Sequence, residues 1–372
     1  PEALAPGPVR TSTIPVIEAI SNRIPYGLVV NISPWNFPVI LSFLDTIPAL
    51  AAGNAVLIKP SEITPRWVEE MQATIEACPA IAGVLGILPG TGKTGAECIN
   101  HADAVVFTGS VSTGRKVAEA AAKRFIPAFL ELGGKDPAIV LEGADIDHAA
   151  RTLTFAATQS AGQACQSIER VYVPRAHLDE FLATAVETAE SMAINHPDIT
   201  QGVVGPFIFA EQGGKVLRQL ADARGAGAEI LCGGELLNNG GYWMRPTVVT
   251  NVTHEMALMQ AETFGPVMPV MPYDNEAQAI ELANDSDYGL SAAVFAANAE
   301  AGQTLAKHLK AGAVSINDAA LTAVVHDFEH DAFALSGMGL SRSGLSAYTR
   351  FTRQQAVMTN TSGQSVLQSS LD

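Results

Sequence analysis

Ala104-Val105-Val106-Phe107-Thr108-Gly109-Ser110-Val111-Ser112-Thr113-Gly114 joins an apolar run to a glycine-bearing turn and then to an amphipathic helix that reaches Arg124. A strand buried on both faces of a parallel sheet reads as a continuous β-branched run. A turn into a helix is how the chain returns to lay down the next parallel strand. The same unit recurs upstream. Leu28 to Ile32 precedes a helix ending near Ala52, Ala55 to Ile58 precedes a helix starting near Pro65, and Val84 to Leu88 forms a further strand. After Gly134 the plan repeats with longer helices, one of them from Ile146 to Ser160. This alternation predicts an α/β fold of two doubly wound, mostly parallel domains, at residues 24–133 and 134–333, with 334–352 as a return segment. Two stretches, Thr13 to Arg23 and Arg353 to Thr359, are extended in pattern and fall outside both sheets, in end segments 1–23 and 353–372.

At 372 residues and 48% hydrophobic content the chain can bury a large core. A formal charge of −16, with no cluster of Lys or Arg, offers nothing to a phosphate backbone or an anionic lipid surface, so neither nucleic acid nor membrane is an expected partner. No apolar run spans a bilayer, and the opening Pro1-Glu2-Ala3-Leu4-Ala5-Pro6 lacks the basic and apolar regions of a secretory signal. The expected location is cytoplasmic. Cys78, Cys98, Cys165 and Cys232 are scattered, with no Cys-x-x-Cys pair and no histidines at zinc spacing, which indicates neither a disulfide framework nor a metal site. The sequons beginning at Asn31, Asn251 and Asn360 are read as chance matches.

Several short motifs sit at the carboxyl ends of the predicted strands, where α/β folds place their ligands. Leu130-Glu131-Leu132-Gly133-Gly134-Lys135 and Gly162-Gln163-Ala164-Cys165 supply a carboxylate and a thiol. Neither is strong alone, because a Leu-Glu-Leu-Gly-Gly run can end any strand and most buried cysteines are inert. Pro34-Trp35-Asn36-Phe37-Pro38 follows the first strand, and its bland reading is a rigid turn with a surface asparagine. In Gly53-Asn54-Ala55-Val56-Leu57-Ile58-Lys59-Pro60-Ser61-Glu62 the bland reading is a solvated Lys-Glu pair of little energetic value. Two glycine-rich stretches compete as phosphate sites. Pro89-Gly90-Thr91-Gly92-Lys93-Thr94-Gly95 holds a formal Gly-x-Gly-x-x-Gly and the tail of a Walker A loop. The Walker pattern fails at Ile87, though, and Asp103 comes too early for the acidic residue expected about twenty positions on. The stretch from Phe107 to Gly114 is better placed, since it opens a long helix whose free amides suit a phosphate.

In order and spacing these motifs resemble the aldehyde dehydrogenase family, and the resemblance runs from Trp35 to Tyr348. It implies that Cys165 is the nucleophile and that Glu131 activates the water that opens a thioester. It further implies that Asn36, with the backbone amide of Cys165, forms an oxyanion hole. Water rather than coenzyme A is then the acyl acceptor. The implied cofactor is NAD, with NADP possible, because an acidic Glu62 beside Lys59 and Ser61 at the adenosine ribose disfavours a 2′-phosphate. Gly109, Ser110 and Gly114 would form the phosphate end, and Gly92 the adenine side. Glu262, in Glu262-Thr263-Phe264-Gly265-Pro266-Val267, would hold the nicotinamide ribose, which Gln212 also reaches, while Phe264 backs the ring. Ile32, Pro34, Trp35 and Leu132 complete the cofactor set. The substrate is a small aldehyde, with a broad or aromatic and aliphatic preference expected. Ser336-Gly337-Met338-Gly339 departs from the family pattern by lacking a lysine upstream and by its short spacing to Tyr348.

The family resemblance also implies that the two outlying extended segments build a small protruding sheet for oligomerisation, in a homodimer or homotetramer. Relatives carry more chain before the residue numbered Pro1 here, including helices over one side of the cofactor sheet, so a truncated and less stable form is expected. Three other readings compete. A P-loop nucleotide hydrolase would use Gly90 to Thr94. A cysteine hydrolase would need a histidine partner for Cys165, and His148 shows no sign of aim. A catalytically weakened binding protein would keep the fold alone.

Overall fold

The computed structural model describes residues 2–367, so residues 368–372 of the end segment lie outside the description. The chain opens with β1 (Arg10–Thr11) and β2 (Ile17–Pro25). The second strand begins later than the expected Thr13, because the Ser12 N–H donates to the Ile17 carbonyl and the Ile17 N–H to the Ile14 carbonyl, closing a turn. Thr352–Asn360 pairs antiparallel with β2 along its whole length, giving a three-stranded sheet separate from the rest.

Next come β3 (Leu28–Ile32), α1 (Pro38–Ala51), β4 (Ala55–Lys59), α2 (Val68–Glu76), β5 (Leu85–Ile87), α3 (Gly92–Ile99), β6 (Ala104–Thr108), α4 (Val111–Arg124) and β7 (Ala128–Glu131). Their strands form one sheet in the order β7-β6-β3-β4-β5, all parallel, with the short strand Gly337–Met338 antiparallel on the outer edge of β7. Val29, Val56, Ile58 and Val106 pack on one face of this sheet, and Val30, Ile32, Val105 and Phe107 on the other. This is the period-2 alternation of strands covered by helices on both sides.

A second sheet takes over at β8 (Asp136–Val140), followed by α5 (Ile146–Thr158) and β9 (Ile168–Pro174). Its order is Glu229–Cys232, Thr247–Thr250, Val267–Tyr273, β9, β8, Ser291–Phe295, Ala313–Ile316, parallel except at the first pair. Ala138 and Val140 pack against α5, while Ile139 joins the cluster beneath helix Ala210–Gly225. The chain therefore crosses from one sheet to the other between Glu131 and Asp136. No described helix is long and apolar enough to cross a membrane.

Candidate active site

The helix that delivers Cys165 stops at Thr158, short of the expected Ser160. Ser160, Ala161 and Gly162 take positive φ values of 53°, 55° and 66°, so the chain leaves α5 through a left-handed turn. At Gly162 a β-carbon would sit 2.1 Å from the Gly265 carbonyl oxygen, and only glycine fits. Gln163 then stitches the loop down. Its Nε2 donates to the Ser160 and Pro206 carbonyls at 3.2 and 3.3 Å, and its Oε1 accepts from the Ile208 amide at 2.9 Å. Asn36 donates from Nδ2 to the Gln163 carbonyl at 3.0 Å. A carboxamide has two N–H donors, so the second is left for a ligand in the cavity that Asn36 and Cys165 both line.

That cavity encloses about 180 Å³. The other cysteines lie elsewhere: Cys78 is exposed, Cys98 is packed in the first sheet's core, and Cys232 faces the Pro246 carbonyl at 3.7 Å. Burial pushes the Cys165 thiol up to about 12. The Arg342 guanidinium pulls the other way, and the charges of Asp136, Glu262 and Glu131 add to the rise. The resting thiol is therefore protonated, and a group entering the cavity must activate it. His148 does not serve it as a base, because its Nε2 is engaged 3.1 Å from the Asn317 carbonyl.

Glu131 ends β7 opposite Gly337. Its neighbours Leu132 and Gly133 line the cavity, while its own carboxylate lies 3.9 Å from Nε of Arg342. Sequence reading passed over this arginine. Its terminal nitrogen contacts the Asp45 carboxylate and approaches Thr108 Oγ1 at 3.4 Å. The second Asp45 oxygen takes the fully buried Arg350, whose guanidinium stacks on Phe129 and Phe351 at 5.2 and 4.9 Å. Burial alone would raise Asp45, but the two guanidinium groups hold it below the ordinary carboxylate range. No sequence signal pointed here, since Asp45 sits within α1 and Arg342 lies 297 positions away.

A groove of about 580 Å³ adjoins the cavity, the two sharing Pro34, Trp35, Thr108, Gly109 and Ser110. Ile32, Lys59, Ser61, Glu62 and Gly92 line the groove. Lys59 is buried with Nζ 2.8 Å from Glu62, whose side chain is 52% exposed, so the pair runs from the groove wall to its open rim. Partial burial would raise Glu62, yet the Lys59 hydrogen bond, a bond from its own backbone and the Lys59 charge together hold it low. Ser110 caps α4 by accepting from the Thr113 amide at 3.4 Å, setting the helix's amino end against the groove. Gly114, expected at the phosphate end, is not among the residues lining either space; a β-carbon there would come 2.6 Å from the Leu132 side chain, so the missing side chain lets α4 pack close against Leu132. In the rival glycine stretch Thr91 caps the short α3, leaving Gly92 and Lys93 on the groove wall.

Leu132, Gln212, Glu262 and Phe264 line the cavity. The turn from Glu262 to Phe264 is clamped by Glu169, whose carboxylate accepts the Thr263 and Phe264 amides at 2.8 Å each and Lys135 Nζ at 2.7 Å. Gln212 Nε2 donates to the Thr263 and Phe264 carbonyls, at 2.9 and 3.0 Å, so its amide also holds the turn. The Phe264 ring meets Trp35 edge to face at 5.3 Å. Glu262 accepts from the Gly134 amide at 3.2 Å. Burial pushes it up to about 7, with the Glu169 charge adding and Lys215 opposing. Lys135 and Glu169 were missed, although charges at the start of β8 and within the apolar run of β9 were a readable signal of a buried pair. Polar at the Lys59–Glu62 end and aromatic beside Cys165, the joined spaces suit a dinucleotide whose reactive ring lies at the thiol.

Comparison with known proteins shows the family. A family model described as "Aldehyde dehydrogenase family" matches residues 6–357. A "Putative succinate-semialdehyde dehydrogenase" of Mycolicibacterium smegmatis, whose name carries the designation NADP(+), is 38% identical over 96% of this chain and 69% of its own length. The structure of "Putative Aldehyde Dehydrogenase PutA" from Anabaena variabilis superposes with a TM-score of 0.95 at 48% identity, covering 98% of this chain and 78% of that one. An aldehyde dehydrogenase of Mycobacterium tuberculosis, solved with NAD+, gives a TM-score of 0.90 at 32% identity over 96% of this chain and 74% of that one. The chain spans about two thirds of the curated relatives it matches, from 64% to 70% of their lengths. In sequence and in fold, this chain belongs to the aldehyde dehydrogenase family of NAD(P)-dependent oxidoreductases.

Proposed function

We propose that this chain oxidises an aldehyde to a carboxylic acid on Cys165, with NAD as the hydride acceptor and water as the acyl acceptor. The observation that carries the reading is the position of Cys165, the cysteine lining the cavity in which the groove ends. The thiol proton is released to solvent, the sulfur adds to the aldehyde carbon, and the developing oxyanion takes hydrogen bonds from Asn36 Nδ2 and the Cys165 backbone amide. A nicotinamide held there would supply the hydride acceptor, and loss of hydride from the adduct carbon would leave a thioester on the sulfur. Glu131 takes a proton from water, the water oxygen bonds to the acyl carbon, the C–S bond breaks, and the acid leaves.

The cofactor would be held by Lys59, Ser61 and Glu62 at the adenosine ribose, by Gly109 and Ser110 at the phosphates, and by Glu262 at the second ribose, with Phe264 against the ring. Glu62 favours NAD over NADP by repelling a 2′-phosphate. Glu62→Gln should therefore raise the ratio of kcat/KM for NADP to that for NAD; an unchanged ratio places the discrimination elsewhere.

The reading is tested by following absorbance at the reduced-nicotinamide band with NAD and a panel of aldehydes. Turnover is expected in the parent and none in Cys165→Ala. If Cys78→Ala or Cys98→Ala were equally damaging in a folded protein, the nucleophile would be misassigned.

A further inference from the structure

The Arg342 side chain is 12% exposed, but its Nε is buried and finds no hydrogen-bond acceptor among the described residues. A buried guanidinium donor left unpaired is costly and asks for a partner. One terminal nitrogen is held by Asp45 of α1 and lies near Thr108 at the end of β6. The acid that Nε faces is Glu131, with Oε1 3.9 Å away, about 1 Å beyond hydrogen-bond length. Of the two, Glu131 is the side chain with room to adjust, being 20% exposed against 12% for Arg342.

We propose that Arg342 is the positioning residue of the general base: its free Nε–H takes one oxygen of the Glu131 carboxylate and turns the other toward the water that opens the Cys165 thioester. This rests on Glu131 serving deacylation. Proton and bonds then balance within one step. The water proton passes to the second Glu131 oxygen, the water oxygen bonds to the acyl carbon, and the C–S electron pair returns to sulfur, which recovers the proton as the acid departs. Asp45 neutralises Arg342 from behind and keeps its guanidinium from swinging toward the acid, so the glutamate comes to the arginine. Arg350 shares Asp45 and feels the Glu131 charge at longer range, but the ion pair with Glu131 among the described residues is made by Arg342, and this separates a structural role from a positioning one.

The experiment mixes enzyme with NAD and the best aldehyde of the panel, follows the NADH burst, and weighs the intact chain for an acyl adduct. Arg342→Gln should give a full burst, then a steady rate at least tenfold below the parent's, with acylated chain accumulating. Arg342→Lys keeps a charge for Asp45 but has no Nε–H. It should fold and show the same accumulation, and it decides the matter alone if the glutamine variant does not fold. Arg350→Lys should lower the melting temperature without accumulation. Parent-like deacylation in folded Arg342 variants, or equal accumulation in Arg350→Lys, overturns the proposal. Steady turnover of Glu131→Gln without an adduct would instead remove the glutamate's own role, a separate failure visible in the same assay.

Discussion

Glu262, half-buried in the cavity wall, is pushed up to about 7, because desolvation and the Glu169 charge outweigh the pull of Lys215 and Lys135 and its hydrogen bond from Gly134. An unfolded glutamate loses its proton near about 4.3. Between those values the native chain holds more protons than the unfolded one, so stability present at low pH is lost as pH rises through the folded value. Asp136 acts with the same sign: burial pushes it up to about 8 against its hydrogen bonds from Ser291. Glu262→Gln removes one of these two raised acids. The fall in melting temperature between pH 5 and pH 8 should be shallower in this variant, while its KM for NAD rises through loss of the ribose contact. A melting profile parallel to the parent's would contradict the assignment. For Asn36→Ala, loss of one oxyanion donor should lower kcat by about 10²–10³-fold with a smaller change in KM, as read from initial rates.

Among the elements, α1 is the instructive case. Its buried face carries Ser42, Asp45 and Thr46, while Ile40 and Ile47 are 60% and 59% exposed. The apolar period that located the helix in the sequence therefore gave its length but not its inward side. The inward side is polar because it meets Asn31, Ser33 and the two arginines of the return segment. Removing one partner of such a buried pair typically costs about 3–5 kcal/mol, so Asp45→Asn should lose about that much in denaturant unfolding; a loss under about 1 kcal/mol would mean the arginines re-pair. As the native carboxyl is held low, Asp45 stabilises the fold above its unfolded value near about 3.9, and that contribution fades as pH drops through its lower native value. The strands β3, β4 and β6 were legible as apolar runs because both their faces are buried. So were Cys165, Asn36 and Lys59, whose short motifs mark strand or helix ends. Arg342 and Glu169 were not picked out, because their meaning lies in partners brought near by the fold, Asp45 and the Glu262–Phe264 turn.

At the scale of the whole molecule, the first sheet contributes Glu131 at the end of β7 and the second contributes the loop that carries Cys165, so the proposed chemistry depends on how the two sheets meet. The third sheet has a different use. Its outer strand Thr352–Asn360 is exposed along nearly all its length, with Val357 and Met358 at 44% and 70%. A long unpaired edge bearing apolar side chains favours pairing with another chain. Light scattering should return at least twice the 38.9 kDa chain mass, and Met358→Lys should shift the population toward monomer. A parent that is monomeric at every concentration would rule out the oligomer. The division of labour between the two large sheets is tested most directly by one turnover of Glu131→Gln with NAD and aldehyde, followed by intact mass and peptide mapping. The account predicts one NADH per chain and an acyl group on the Cys165 peptide that persists. Continuous NADH formation with no adduct, or an adduct on Cys78, Cys98 or Cys232, would contradict it.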